Sequence, residues 1–93
     1  MIIGTARVTI KIPWSQSLKD KRMVARSIIA KTKNKFNASI SEIEHHDNHK
    51  LLVLGVACVT NNTRHANSSI DEIINFIYGS TDAMVEDVEI EIL

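Results

Sequence analysis

The sequence predicts an α+β fold: one four-stranded antiparallel sheet with two helices on a single face. Three observations predict it. Residues 2–12 and 51–60 are rich in β-branched residues at strand periodicity, and 88–92 alternate apolar with acidic. Residues 17–36 and 66–77 carry apolar residues at helical spacing. The segments follow one another as β-α-β-β-α-β with short connections, which leaves few topologies open.

In the first strand Ile2, Gly4, Ala6, Val8, Ile10 and Ile12 share one face, and Thr5, Arg7, Thr9 and Lys11 the other. Such period-two alternation is the mark of a half-buried strand. Pro13 ends the ladder because it lacks an N–H, and Trp14 follows in a short loop. Ser17 is a good N-cap, with Asp20 placed close to a capping box. At about 100° per residue, Leu18, Val24, Ala25, Ile28, Ile29, Thr32 and Phe36 then fall on one arc. Asn34 and Asn37 suit the exit.

Residues 38–44 read as a second strand. Ile40 and Ile43 stand three apart, so a bulge is expected near Ser41 and Glu42. His45 to Lys50 is a polar hairpin tip. Residues 51–60 are apolar on both faces, Leu52, Leu54, Val56 and Cys58 against Val53, Gly55, Ala57 and Val59, which places the strand centrally. Asn61, Asn62 and Thr63 offer caps for a helix built on Ala66, Ile70, Ile73, Ile74 and Ile77. Gly79 is expected to end it. In the last strand Val88, Ile90 and Ile92 alternate with Asp87, Glu89 and Glu91.

Each helix has one apolar stripe, so both must lie on the same sheet face. This is the ferredoxin-like, split-βαβ sandwich with strand order 4-1-3-2, a single domain over residues 1–93. Strand four is then antiparallel to strand one. Arg7 and Lys11 are expected to meet Asp87, Glu89 or Glu91 on the uncovered face, each pair contributing about 0.2–1 kcal/mol.

The formal net charge is zero, but its distribution is uneven. Residues 17–36 hold seven of the eleven Lys and Arg and one acid, while residues 65–93 hold seven acids and no Lys or Arg. The single cysteine, Cys58, excludes an intrachain disulfide and reads as a small apolar core residue. The opening residues lack signal-peptide character, and no apolar run reaches the ~18 residues of a membrane span. A cytoplasmic protein without membrane contact is expected.

No nucleophile–base pair and no Gly-rich phosphate loop is present, so neither an enzyme nor a cofactor is expected. Lys19, Arg22, Arg26 and Lys33 fall within about 60° on the helical wheel and form one basic stripe. Lys21 lies inside the apolar arc and is expected to snorkel out at the helix end. Lys31 and Lys35 occupy the opposite flank. A stripe of this kind tracks a phosphate backbone, so Lys19, Lys21, Arg22, Arg26 and Lys33, with Arg64, are the nucleic-acid-binding candidates. The same pattern also suits a solvated helix face, with Lys33 and Lys35 complementing the helix dipole. No aromatic residue lies on a central strand, unlike a sheet that stacks bases.

Arg64 and His65, in the first turn of the second helix, are candidates for binding a phosphate or carboxylate. His45, His46, Asp47 and His49 offer nitrogen and oxygen donors, but their spacing is that of a polar turn rather than a metal motif. Val53, Gly55, Ala57 and Val59 form a small apolar strip on the uncovered face, a candidate contact for a second copy or a small effector.

Ser17-Leu18-Lys19-Asp20-Lys21-Arg22, Phe36-Asn37-Ala38-Ser39-Ile40, Gly55-Val56-Ala57-Cys58-Val59 and His65-Ala66-Asn67 occur here in one order over nearly the whole chain. In them the sequence resembles the bacterial YlxP-like family of small single-domain proteins. The resemblance implies a ferredoxin-like fold and transfers no catalytic residues. The family's genes often lie near those of transcription and translation factors, which implies an RNA or ribosomal partner. The His-rich tip departs from the family pattern.

Overall fold

The computed structural model describes residues 1–93 as β1 (Ile2–Lys11), α1 (Leu18–Lys35), β2 (Ser39–Glu44), β3 (Leu51–Thr60), α2 (Thr63–Ser80) and β4 (Met84–Ile92). The sheet order is β2-β3-β1-β4, all pairs antiparallel, which is the order expected. α1 packs over β2 and β3, and α2 over β1, β3 and β4. Alternation places Ala6, Val8 and Ile10 of β1 and Leu52, Leu54 and Val56 of β3 beneath the helices, where they meet Ala25 and Ile28 of α1 and Ile70, Ile73 and Ile77 of α2. Each large apolar side chain buried there contributes about 1.5–3 kcal/mol.

Gly4 sets the approach of α2. A Cβ at this position would lie 2.9 Å from Ile70 Cγ1 and 3.3 Å from Cys58 Sγ, so any side chain would push the helix off the sheet. Both helices have the expected N-caps. Asp20 N donates to Ser17 Oγ (3.1 Å), and His65 N to Asn62 Oδ1 (3.1 Å). The Asp20 carboxylate completes the first cap by accepting from Gln16 N at 2.9 Å.

Two details differ from the expectation. Gly79 does not end α2, which runs through Ser80 to an extended cap at Thr81. No glycine has positive φ, so the left-handed turn that favours glycine is not used. The β2 irregularity lies between Glu42 and Glu44, centred on Ile43, slightly beyond the expected site. A second irregularity faces Thr9 and Ile10, where Glu86 is the extra residue of β4. It shifts the charge pairing: Lys11 meets Glu86 at 3.0 Å rather than Asp87, Glu89 or Glu91. Arg7 does reach Glu89, but only at 3.9 Å. No helix is long and apolar enough to cross a membrane.

Candidate functional site

The cations of the chain divide into those consumed inside the fold and those left outside it. Lys21 is the clearest of the first kind. Its position in the apolar arc of α1 carries it under the β2–β3 hairpin, where its side chain is only 1% exposed. Nζ donates to His45 O (2.9 Å), His46 O (3.2 Å) and Leu51 O (3.3 Å). An ammonium has three donors, so these carbonyls use them all. Glu42 Oε2 lies 2.8 Å from the same nitrogen as an ion pair without a well-angled hydrogen bond. Lys21 is therefore removed from the nucleic-acid candidates. It does not snorkel outward, because the hairpin closes over it and supplies every acceptor it needs.

The hairpin depends on this contact. His45 has φ of 56°, a left-handed conformation uncommon for a side-chain-bearing residue. Lys21 holds its carbonyl from one side while Asn48 N donates to the same oxygen at 3.0 Å. His45 Nε2 comes no nearer to Glu44 than 3.9 Å. The tip brings no three His, Cys, Asp or Glu side chains together as a metal-holding group.

Lys50 and Arg7 are also engaged. Lys50 Nζ donates to Pro13 O (2.8 Å) and Ser15 O (2.9 Å), pinning the β1–α1 loop. Arg7 crosses β3 to form a two-pronged bond with Glu44 of β2, from Nε to Oε1 at 2.7 Å and from Nη2 to Oε2. This hydrogen-bonded pairing holds the Glu44 carboxyl below its usual range and raises the Arg7 guanidinium. Glu44 as the chief partner of Arg7 was not evident from sequence. Only the Ile43 bulge turns it onto the open face, opposite Val53.

The open sheet face is less apolar than its four candidate residues suggest. Val53 is fully buried between Thr9 and Glu44 of the flanking strands and offers no contact surface. Gly55 is roofed by Ile43, whose Cγ2 would lie 2.9 Å from a Cβ there. Ala57 is half-buried and Val59 exposed. What remains is a shallow trough of about 490 Å³ whose rim includes Arg7, Ser41, Ile43, Glu89 and Glu91.

Lys19, Arg22, Arg26 and Lys33 are different. All four are exposed, and none has a carboxylate within 4.0 Å. The opposite flank of α1 turns toward α2, where Lys31 Nζ reaches Ser80 O at 3.5 Å and Lys35 lies 4.9 Å from the Phe76 ring centroid. By helical geometry the four free cations then line the flank away from α2, over about 21 Å of helix. Arg64 is exposed but belongs to the far end of the helix layer. Its neighbour His65 shares a hollow with Phe36 and Asn37, just beyond α1. The structure therefore does not join Arg64 to Lys19 and Arg22. Arg64 and His65 instead line a separate polar hollow of about 420 Å³ with Asn61, Asn62 and Ser68. Cys58 is buried in the core, as its strand position indicated.

These features define a small ferredoxin-like α+β domain whose helix layer bears an unneutralised basic flank. The chain belongs to the family described as "Protein of unknown function (DUF503)", whose pattern matches residues 3–90. It is 34% identical over 76 residues to the uncharacterized protein YlxP of Bacillus subtilis strain 168, an alignment covering 82% of this chain and 83% of that one. Among solved structures, the de novo designed protein Foldit4 superposes with a TM-score of 0.51 at 12% identity, over 99% of this chain and 94% of that one. At such identity the likeness concerns the fold alone.

Proposed function

We propose that the protein is a non-enzymatic, cytoplasmic binding module that grips RNA, free or within a ribosomal particle, along the outer flank of α1. The observation that supports this reading most directly is the partition of charge. Arg7, Lys11, Lys21 and Lys50 each have a partner within the chain, whereas Lys19, Arg22, Arg26 and Lys33 stand exposed in a row without acidic partners. Unpaired cations at helical spacing displace condensed counterions from a phosphate backbone. The open-face trough supports a second reading, a small effector or a second copy. It ranks lower because the Arg7 charge is already taken by Glu44.

The test is the salt dependence of binding to ribosomal RNA fragments. Four phosphate contacts give a slope of about −3 in log K against log salt, at roughly 0.7–0.9 per contact. The variant Lys19→Ala/Arg22→Ala/Arg26→Ala keeps one contact, so its slope falls to about −1 and binding at moderate salt is largely lost. RNA binding by this variant equal to that of the parent, with an unchanged slope, would reject the assignment.

A further inference from the structure

The outer surface of α1 borders a groove that contains the only tryptophan of the chain. We propose that this groove takes one unstacked base of the RNA whose phosphates lie on Lys19, Arg22 and Arg26, with Trp14 as its stacking platform. The partner is then a single-stranded segment or loop rather than a continuous duplex. This inference rests on the RNA reading and adds the class of RNA.

Four observations carry it. First, Trp14 is 51% exposed and Met23 62%, facing a groove floored by Val24 and Ile28. Second, the backbone that presents Trp14 is fixed. Lys50 Nζ holds the carbonyls on both sides of it, at Pro13 (2.8 Å) and Ser15 (2.9 Å). Ser15 is itself fully buried, and its N–H donates to Ile12 O at 3.1 Å. An aromatic ring on a rigid loop, exposed by half its surface, is pre-organised for stacking.

Third, the groove opens on the α2 side of α1, and only the Met23 ridge separates it from the basic flank. Met23 lies four residues after Lys19 and three before Arg26, the spacings at which helix side chains are neighbours. Fourth, Asp82 closes the opposite rim. A carboxylate there repels phosphate, so the groove accepts a base and leaves the backbone to the cations. Its volume, about 280 Å³, lies just below the ~300–1,000 Å³ of clefts that hold larger ligands, which suits one base. Bases inside an A-form duplex stay stacked and do not reach such a groove.

Because Trp14 is the single tryptophan, its fluorescence reports on this site alone. The probes are a short single-stranded oligoadenylate, an RNA duplex of equal charge, and inorganic polyphosphate. Oligoadenylate is expected to quench Trp14 emission, whereas duplex and polyphosphate bind the flank without quenching. Trp14→Ala weakens oligoadenylate binding by roughly 5- to 150-fold and leaves polyphosphate affinity and the far-UV circular dichroism unchanged. Trp14→Phe recovers most of the loss. If oligoadenylate binds with a steep salt slope but without quenching, and equally well to Trp14→Ala, the groove is not a base site and the phosphate-binding flank stands alone. Equal quenching by the duplex also overturns the proposal. If none of the three polyanions binds, the RNA reading and this inference fall together.

Discussion

Lys21 shows how a single residue changes role once its surroundings are known. On the wheel it is one of seven cations in a basic segment. In the fold it is an internal clip that ties α1 to the hairpin through three carbonyls and Glu42. Removing one partner of a buried ion pair costs about 3–5 kcal/mol, because the other partner remains buried without compensation. Lys21→Met is therefore expected to lower unfolding stability by roughly that amount in urea titrations, while Lys19→Met, at an exposed position, changes it by less than about 0.5 kcal/mol. Equal effects of the two substitutions would mean that the clip adds nothing. The angular position of Lys21 within the apolar arc was readable from spacing alone. Its acceptors were not, since they come from a turn whose path depends on a bulge and a left-handed residue at His45. Trp14 was similarly visible only as a loop aromatic. Its groove arises from the meeting of α1 with residues 80–82, which are distant in sequence.

At the level of elements, periodicity was sufficient to read the order and the central place of β1 and β3. Alternation and apolar stripes report burial directly, and burial decides which strands lie inside. Irregularities were harder to read. Glu86 and Ile43 each add one residue to an edge strand, and each changes which charges meet. The Ile43 bulge allows Arg7 on β1 to reach Glu44 on β2 across β3, where Gly55 leaves room for the Ile43 side chain. This link joins three strands and gives the sheet an acid-sensitive tie. The Glu44 carboxyl is held below its usual 4.5, first by its hydrogen bond to Arg7 and then by that residue's charge. A depressed folded-state value stabilises the protein above the unfolded value, and the contribution is lost as pH falls through the folded one. Stability is thus expected to decline below about pH 4.5 partly through Glu44. In Arg7→Met the Glu44 titration, followed by carboxyl NMR, moves up, and the acid limb of the stability profile becomes shallower. An unmoved titration would show that the pair is not formed in solution.

For the whole molecule, zero net charge conceals a division between faces. Four of the free cations lie on α1 and Arg64 at the start of α2, while Asp71 and Glu72 of α2 and Glu86, Asp87, Glu89 and Glu91 of β4 lie on the half of the sandwich away from α1. Two copies meeting through their open sheet faces would oppose Glu44, Glu89 and Glu91 to their equivalents, with Arg7 already bonded. The apolar area available to offset that repulsion is broken up, with Ile43 and Ala57 in the middle, Ile3, Val59 and Leu93 at one end and Met84 at the other, because Val53 is buried and Gly55 is roofed. Unlike faces attract instead, the α1 flank of one copy against the β4 side of another. Such a contact is heterologous and does not close on itself as a two-fold pair does. The two arrangements respond to salt with opposite sign. Screening at about 0.15 M, where the Debye length is near 8 Å, weakens a charge-driven contact but relieves the repulsion that opposes the apolar one. Sedimentation is therefore expected to show a monomer at about 0.15 M salt. Self-association should grow only as ionic strength falls, and Lys19→Ala/Arg22→Ala/Arg26→Ala should abolish it. A dimer that strengthens as salt is added and is insensitive to that variant would instead assign the contact to the open sheet face, and the α1 flank would then be left entirely to RNA.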